Sequence, residues 1–296
     1  MKTDLCGVAL KNPVIMASGT FGVEYAAFYD LGLLGGICTK GLTLEPRQGN
    51  TGMRVYETPS GMMNSVGLQN PGAREYIKTK LPELLSYGTA VIANVGGHTV
   101  ADMEETAALL DATGVHMIEL NISCPNVKHG GMAFGLKAET AAAAVLRVRA
   151  VCKKPLMVKL SPGAENIADV AVACQDAGAD ALSLINTFPA LAIDVERREP
   201  VFQNVTAGLS GPAIRPVALR MVYQVCRAVN IPVAGLGGIA TARDALEFIM
   251  AGATAVQIGT ANFADPMTGP KVIEGVREYM DRNGIKDLAE IRGCIL

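Results

Sequence analysis

Short apolar runs that break off at small or polar residues recur along the chain. They are PVIMASG from position 13, GICTKG from 36, AVIANVG from 90, MIELNIS from 117, PLMVKLS from 155, ALSLINT from 181, PVAGLGG from 232 and AVQIGTA from 255. Between them lie stretches with helical character, among them ADMEETAALLDATG from 101, AETAAAAVLRVRAVC from 138, ENIADVAVACQDAGA from 165 and TARDALEFIMAGA from 241. Strands alternating with helices predict a parallel sheet. Eight such units in 296 residues predict closure into a TIM (β/α)8 barrel, with an open doubly wound sheet as the alternative. Gly114, Gly178 and Gly252 follow helical segments and are placed to adopt the left-handed helix cap.

Two segments depart from a minimal barrel. Residues 3–13, TDLCGVALKNP, read as an N-terminal hairpin plugging the barrel bottom. Residues 188–213 form a long insertion after the sixth strand, alternating enough to hold short strands of its own over the barrel top. No linker or low-complexity tract interrupts the chain, so residues 1–296 are expected to form one domain.

Composition narrows the function. The net charge is −2 and no basic tract occurs, which gives no electrostatic case for nucleic acid or an anionic membrane surface. The N-terminus lacks the apolar run of a signal peptide, and no stretch approaches the length of a membrane span. Cysteines 6, 38, 124, 152, 174, 226 and 294 are scattered, and histidines 98, 116 and 129 show no ligand spacing, so no metal site is expected. Unpaired cysteines suit a reducing cytoplasm.

In this fold the active site lies at the C-terminal ends of the strands. Those ends carry Ser18, Lys40, Asn94, Asn121, Lys159, Asn186 and Thr187. Alternation points Met117, Glu119 and Asn121 inward and Ile118, Leu120 and Ile122 toward the helices. By the same count Lys159 points in with Met157, and Lys40 with Cys38. Inward lysines are costly unless they meet an anion or polar ligand; the plain alternative is two lysines snorkelling at the barrel ends. An unpaired interior carboxylate is equally costly, so Glu119 is expected to pair with Lys159 on the neighbouring strand.

The seventh and eighth strands end in GLGGI (235–239) and IGTA (258–261). Loops at these positions commonly bind phosphate in this fold, glycine allowing close backbone approach, and Thr241 can cap the next helix. Ordinary turn glycines are the plain alternative. Rim amides suit a ring of alternating donors and acceptors, such as a flavin or a pyrimidine. With a phosphate grip and an inward lysine, the pattern suggests FMN. Strand-end lysines alone leave open a flavin-free lyase or aldolase working through a Schiff base.

With those residues placed, the chain resembles the dihydroorotate dehydrogenases, and specifically their NAD-linked branch with a separate electron-transfer subunit. The resemblance runs nearly end to end. It is carried by MASGTFG (16–22), NSVGLQNPG (64–72), IANVGG (92–97), ELNISCPNVKHGG (119–131), GLSGPAI (208–214), GLGGI (235–239) and QIGTANF (257–263). The stretch VKHGGMAFG after the cysteine-proline step looks like the two-subunit branch rather than the one-subunit relatives that use fumarate. The membrane-bound branch has serine where Cys124 stands and an added N-terminal extension.

The resemblance implies a TIM barrel holding FMN and oxidising dihydroorotate to orotate in pyrimidine synthesis. It implies Cys124 as catalytic base, with Lys40, Asn64, Ser65, Val66, Gly67, Leu68, Asn121, Asn186 and Thr187 around the substrate. FMN would meet Ser18, Lys40, Gly41, Asn94, Asn121, Lys159, Ile185, Gly211, Gly237, Gly238, Gly259 and Thr260. A thiol with a pKa of about 8.5 supplies some thiolate near neutrality. Pro125 would turn the chain off the strand, and Gly130 and Gly131 would hinge a loop carrying Cys124 over the substrate. No G-x-G-x-x-G dinucleotide fingerprint follows a strand. The resemblance therefore implies a partner carrying FAD and an iron–sulfur cluster, on a homodimer of this chain.

Overall fold

A computed structural model describes residues 1–123 and 134–296. Eight parallel strands close into a barrel: β1 (Val14–Met16), β2 (Gly36–Cys38), β3 (Ala90–Val95), β4 (Met117–Asn121), β5 (Leu156–Lys159), β6 (Ala181–Leu184), β7 (Val233–Leu236) and β8 (Ala255–Ile258). Each pairs with its neighbours in sequence, and β8 pairs with β1. The expected TIM barrel is the observed fold, and its strands are the eight apolar runs.

The two faces of the strands separate as alternation requires. Ile118, Leu120, Ile122, Val158 and Leu160 belong to the large core between barrel and helices. Met117, Met157, Ile15, Cys38 and Ile92 face the barrel interior, where they pack against Leu5, Val8 and Leu10. Those three leucine and valine side chains come from the antiparallel hairpin Thr3–Leu5 and Val8–Leu10, which closes the bottom as expected. Leu5 is fully buried, and burying a leucine contributes about 1.5–3 kcal/mol.

The first connection differs from expectation. Between β1 and β2 the chain makes only the 3-10 turns Val23–Ala27 and Leu31–Leu33. Gly19, Gly22, Gly32 and Gly35 divide this stretch, and Gly22 supplies no side-chain cap for the first turn. The cap glycines also divide. Gly178 and Gly252 have φ of 99° and 113°. The N–H groups of Gly178 and Ala179 bond back to Gln175 and Cys174, and those of Gly252 and Ala253 to Ile249 and Phe248, completing two Schellman motifs. Gly114 is not left-handed; a Cβ there would come 3.0 Å from Leu85 Cδ1, so close packing accounts for it.

The insertion after β6 does form strands, and it recruits a second loop. Phe188–Leu191 and Thr206–Ser210 pair with each other and then with Gly61–Asn64 and Val55–Thr58 from the β2–β3 connection. This four-stranded antiparallel sheet has a small core of Met63, Phe202 and Ala207. It walls the space over the C-terminal ends of the barrel strands. Among the described residues, no helix is long and apolar enough to cross a membrane.

Candidate active site

A cavity of about 440 Å³ opens between the strand ends and that sheet. Its floor rests on Glu119, which β4 points inward and buries completely. The carboxylate accepts from Cys38 Sγ (3.1 Å), Asn94 Nδ2 (2.5 Å), Ser183 Oγ (2.8 Å) and Gln257 Nε2 (2.8 Å), one donor from each of four other strands. Burial raises the Glu119 pKa, but the nearby Lys159 charge and these donors outweigh it and hold the carboxyl below the usual range.

The expected Glu119–Lys159 contact is not made. The strand register sets Lys159 level with Asn121 and Glu119 level with Met157, so the lysine stands one layer higher. Lys159 Nζ instead reaches Ser18 Oγ at 3.4 Å. The carboxylate and ammonium attract through space, and neutral donors do the hydrogen bonding. Cys38, which points inward as expected, is one of them; burial and Glu119 push its pKa well up.

Above this floor lie the rim amides. Asn121 Oδ1 accepts from Ser123 N at 3.2 Å and Ser123 Oγ at 2.5 Å, and Asn186 Nδ2 donates to Ser123 Oγ. Asn186 Oδ1 takes the Thr187 N–H at 2.8 Å. Both asparagine oxygens are thereby engaged within the protein, which orients the amides. Ser123 went unassigned in the sequence; its signal is the spacing of two residues from Asn121, the reach of an Asx turn.

The substrate-side loop, residues 64–68, is held from outside. Gly67 and Leu68 both have positive φ, 76° and 55°. A Cβ at Gly67 would come 2.6 Å from the Asn50 side chain, which itself donates to Ser65 O and Oγ at 3.1 Å. Arg54 bridges Asn50 O, Gln48 O and Gln69 Oε1, and Asn204 Nδ2 reaches Ser65 Oγ. Asn50, Arg54 and Asn204 lie in loops without periodicity, so nothing in the chain pattern singled them out.

Two glycine turns converge on the opposite wall. Gly211, Gly237 and Gly238 have φ of 98°, 137° and 74°. A Cβ at Gly238 would stand 2.6 Å from Gly211 O, so side chains are excluded where these loops meet. Thr241 caps the helix Ala242–Met250 in a capping box with Asp244, as expected. Thr260 Oγ1 donates to Ser210 Oγ at 2.7 Å, tying the end of β8 to the covering sheet. Gly259 differs: a Cβ there would make only ordinary contacts with Ala17 and Thr20 at 3.6 Å, so the protein itself has room for it.

The cavity brings together every described residue assigned to substrate or FMN, from Ser18, Lys40 and Gly41 through Val66 and Ile185 to Gly259 and Thr260. Cys124, Pro125, Gly130 and Gly131 lie outside the described residues. Among the described lining residues, the charged side chains are Lys40, Arg47 and Lys159, all basic. Burial lowers the Lys40 pKa, and no neighbouring carboxylate offsets it. Two amide oxygens in the floor, Asn94 Oδ1 and Gln257 Oε1, are buried without a partner among the described residues. The uncompensated Lys40 cation and the orphaned acceptors fit an anionic heterocycle with N–H groups.

Fold and site together define a TIM-barrel protein with a polar cavity, basic in its described charges, at the C-terminal ends of its strands. The chain belongs to the dihydroorotate dehydrogenase family, whose sequence profile matches residues 1–280. It is similar to the dihydroorotate dehydrogenase B (NAD(+)) catalytic subunit of Petrotoga mobilis, 56% identical over 296 residues covering 99% of each chain. The subunits of the same name from Thermoanaerobacter pseudethanolicus and Geotalea uraniireducens are each 52% identical, over 297 and 299 residues, covering 100% of this chain and 98% of theirs.

Proposed function

We propose that this chain is the catalytic subunit of an NAD-linked dihydroorotate dehydrogenase, using FMN to oxidise dihydroorotate to orotate in pyrimidine synthesis. The observation that carries the reading is the cavity itself, basic in all its described charges and ringed by oriented amides. Lys159 and Ser18, with Asn94 in the floor, would hold the flavin ring, and the turns at Gly211, Gly237, Gly238, Gly259 and Thr260 its phosphate. Bound FMN supplies the acceptor for the hydride leaving C6 of the substrate.

The rest of the chemistry falls to the chain. Lys40, Asn64, Asn121 and Asn186 hold and orient the substrate ring, with residues 65–68 closing one side. Asn121 suits this role because Ser123 and Asn186 fix its amide before substrate arrives. Cys124, one residue past Ser123, takes the C5 proton as thiolate. The depressed pKa of Lys40 would also serve a Schiff-base amine; membership of a dehydrogenase family favours redox chemistry.

Electrons leave through a second subunit carrying FAD and an iron–sulfur cluster, and two such partners join a homodimer of this chain in the cytoplasm. The word "subunit" in the relatives' names supports a partner, and the free state of the six described cysteines suits a reducing compartment. The test is turnover by the isolated, FMN-loaded chain with two acceptors. Dihydroorotate plus an artificial dye should turn over, and dihydroorotate plus NAD should not until the partner is added. Efficient NAD reduction by the chain alone would overturn the two-subunit reading. Cys124→Ala should lose turnover by several orders of magnitude while retaining FMN; near-normal turnover would remove Cys124 as the base.

A further inference from the structure

Glu119 does not line the cavity, yet two of its four donors do. An ionised carboxylate only accepts hydrogen bonds. Asn94 and Gln257 must therefore each turn their NH2 groups down to it, at 2.5 and 2.8 Å. Their oxygens are left at the other end, and these are the two floor acceptors buried without a partner. Asn94 and Gln257 are 0% and 1% exposed, so water does not satisfy them from the surface. A buried acceptor left unpaired costs about 1–3 kcal/mol, which makes the pair a demand for a donor from above. The same carboxylate is the negative charge nearest in kind to balance Lys159, whose ammonium has only a 3.4 Å contact with Ser18 Oγ.

We infer that Glu119 is the positioning residue of the cavity floor: it turns the Asn94 and Gln257 oxygens toward a ligand that donates N–H, and it balances the charge of Lys159. Gln257 thereby becomes a ligand-facing group through its oxygen. The inference rests on the FMN reading above and adds to it the polarity and net charge of the surface beneath the ring. Cys38 and Ser183 complete the carboxylate's shell from below and lock its orientation.

The test compares wild type, Glu119→Gln and Gln257→Met, each loaded with FMN, by two-electron midpoint potential and by FMN dissociation constant. A glutamine at 119 presents its own NH2 to one pair of donors, so an amide of the floor must turn over, and Lys159 loses its balancing charge. Reduction adds negative charge to the flavin. Glu119→Gln should therefore raise the potential, shifting the equilibrium toward reduced flavin at least tenfold, about 30 mV for a two-electron couple. Gln257→Met leaves both charges in place and removes the amide, both its oxygen and the NH2 that Glu119 accepts. It should weaken FMN binding about tenfold and leave the potential closer to wild type.

A merely structural Glu119 would lower the unfolding midpoint and leave the potential of the bound flavin unchanged, and that result overturns the inference. If Glu119→Gln does not fold, Gln257→Met decides, and wild-type FMN affinity in it overturns the inference. A wild-type chain that takes up no FMN removes the FMN reading and this inference with it. Unchanged potentials in a chain that binds FMN and is reduced by dihydroorotate remove this inference alone.

Discussion

Two layers of the barrel interior are built by the same strands, two residues apart, and have opposite character. In the lower layer Met117, Met157 and Ile92 meet Leu5 and Leu10 of the plugging hairpin. Above Met117 the same β4 and β5 turn polar, supplying Glu119 level with Met157 and, one step higher, Asn121 level with Lys159; these form the upper layer. The lower layer is satisfied by contact alone and contributes stability. The upper layer contains a carboxylate with every bond filled, beside amide acceptors that have no partner among the described residues. A barrel can keep such a layer because the apolar one beneath it and the helix core around it carry the fold.

The sharpest way to break this contrast is to put upper-layer chemistry in the lower layer. Met117→Lys buries an ammonium among apolar groups with no carboxylate at its level. A buried lysine whose pKa is driven down by roughly three to five units costs roughly 4–5 kcal/mol at neutral pH, where the amine is already largely neutral. The variant should fail to fold or unfold at far lower denaturant, as read by chemical denaturation. Leu5→Ala, which opens a void in the same layer, should cost about 2–5 kcal/mol and leave ligand affinity unchanged; weakened FMN binding there would show that the layers are not independent.

A smaller effect separates two glycines of the phosphate wall. Gly238→Ala places a Cβ against Gly211 O at a positive φ, which should cost about 1–3 kcal/mol and lose FMN together with stability. Gly259→Ala meets Ala17 and Thr20 only at the ordinary contact distance of 3.6 Å, so stability should hold within about 0.5 kcal/mol while FMN affinity falls. Thermal unfolding of the apoprotein beside FMN titration distinguishes them, and equal behaviour would argue against a ligand-filled space at Gly259.

The smallest effect is a pH dependence. The native Glu119 pKa lies below its unfolded value, so its contribution is fully present above the ordinary carboxylate range. It is lost as pH falls through the lower native value. Between neutral and acid pH, Glu119→Gln should show a shallower loss of stability than wild type; parallel curves would mean that the carboxyl is not held ionised.

Much of this arrangement could be read along the chain because strands of a closed barrel impose strict alternation. Counting from Asn121 placed Glu119, Met157 and Lys159 inside, and the apolar residues between them outside. The count gives a face and not a height. Barrel stagger decides which residues share a layer, and it separated Lys159 from Glu119 by one step. The strands Val55–Thr58 and Gly61–Asn64 were not legible either. Their sheet exists only by pairing with residues 206–210, far along the chain, and Val55, Tyr56 and Glu57 are all exposed, without alternation. Asn50, Arg54 and Asn204 became visible only once that pairing had formed the wall they brace.

The central claim is that the upper layer delivers reducing equivalents from dihydroorotate to a flavin. It is tested most directly by mixing the FMN-loaded chain with dihydroorotate under anaerobic conditions and following flavin absorbance. The absorbance should bleach in wild type and persist in Cys124→Ala. A wild-type flavin that stays oxidised in the presence of saturating dihydroorotate would contradict the account.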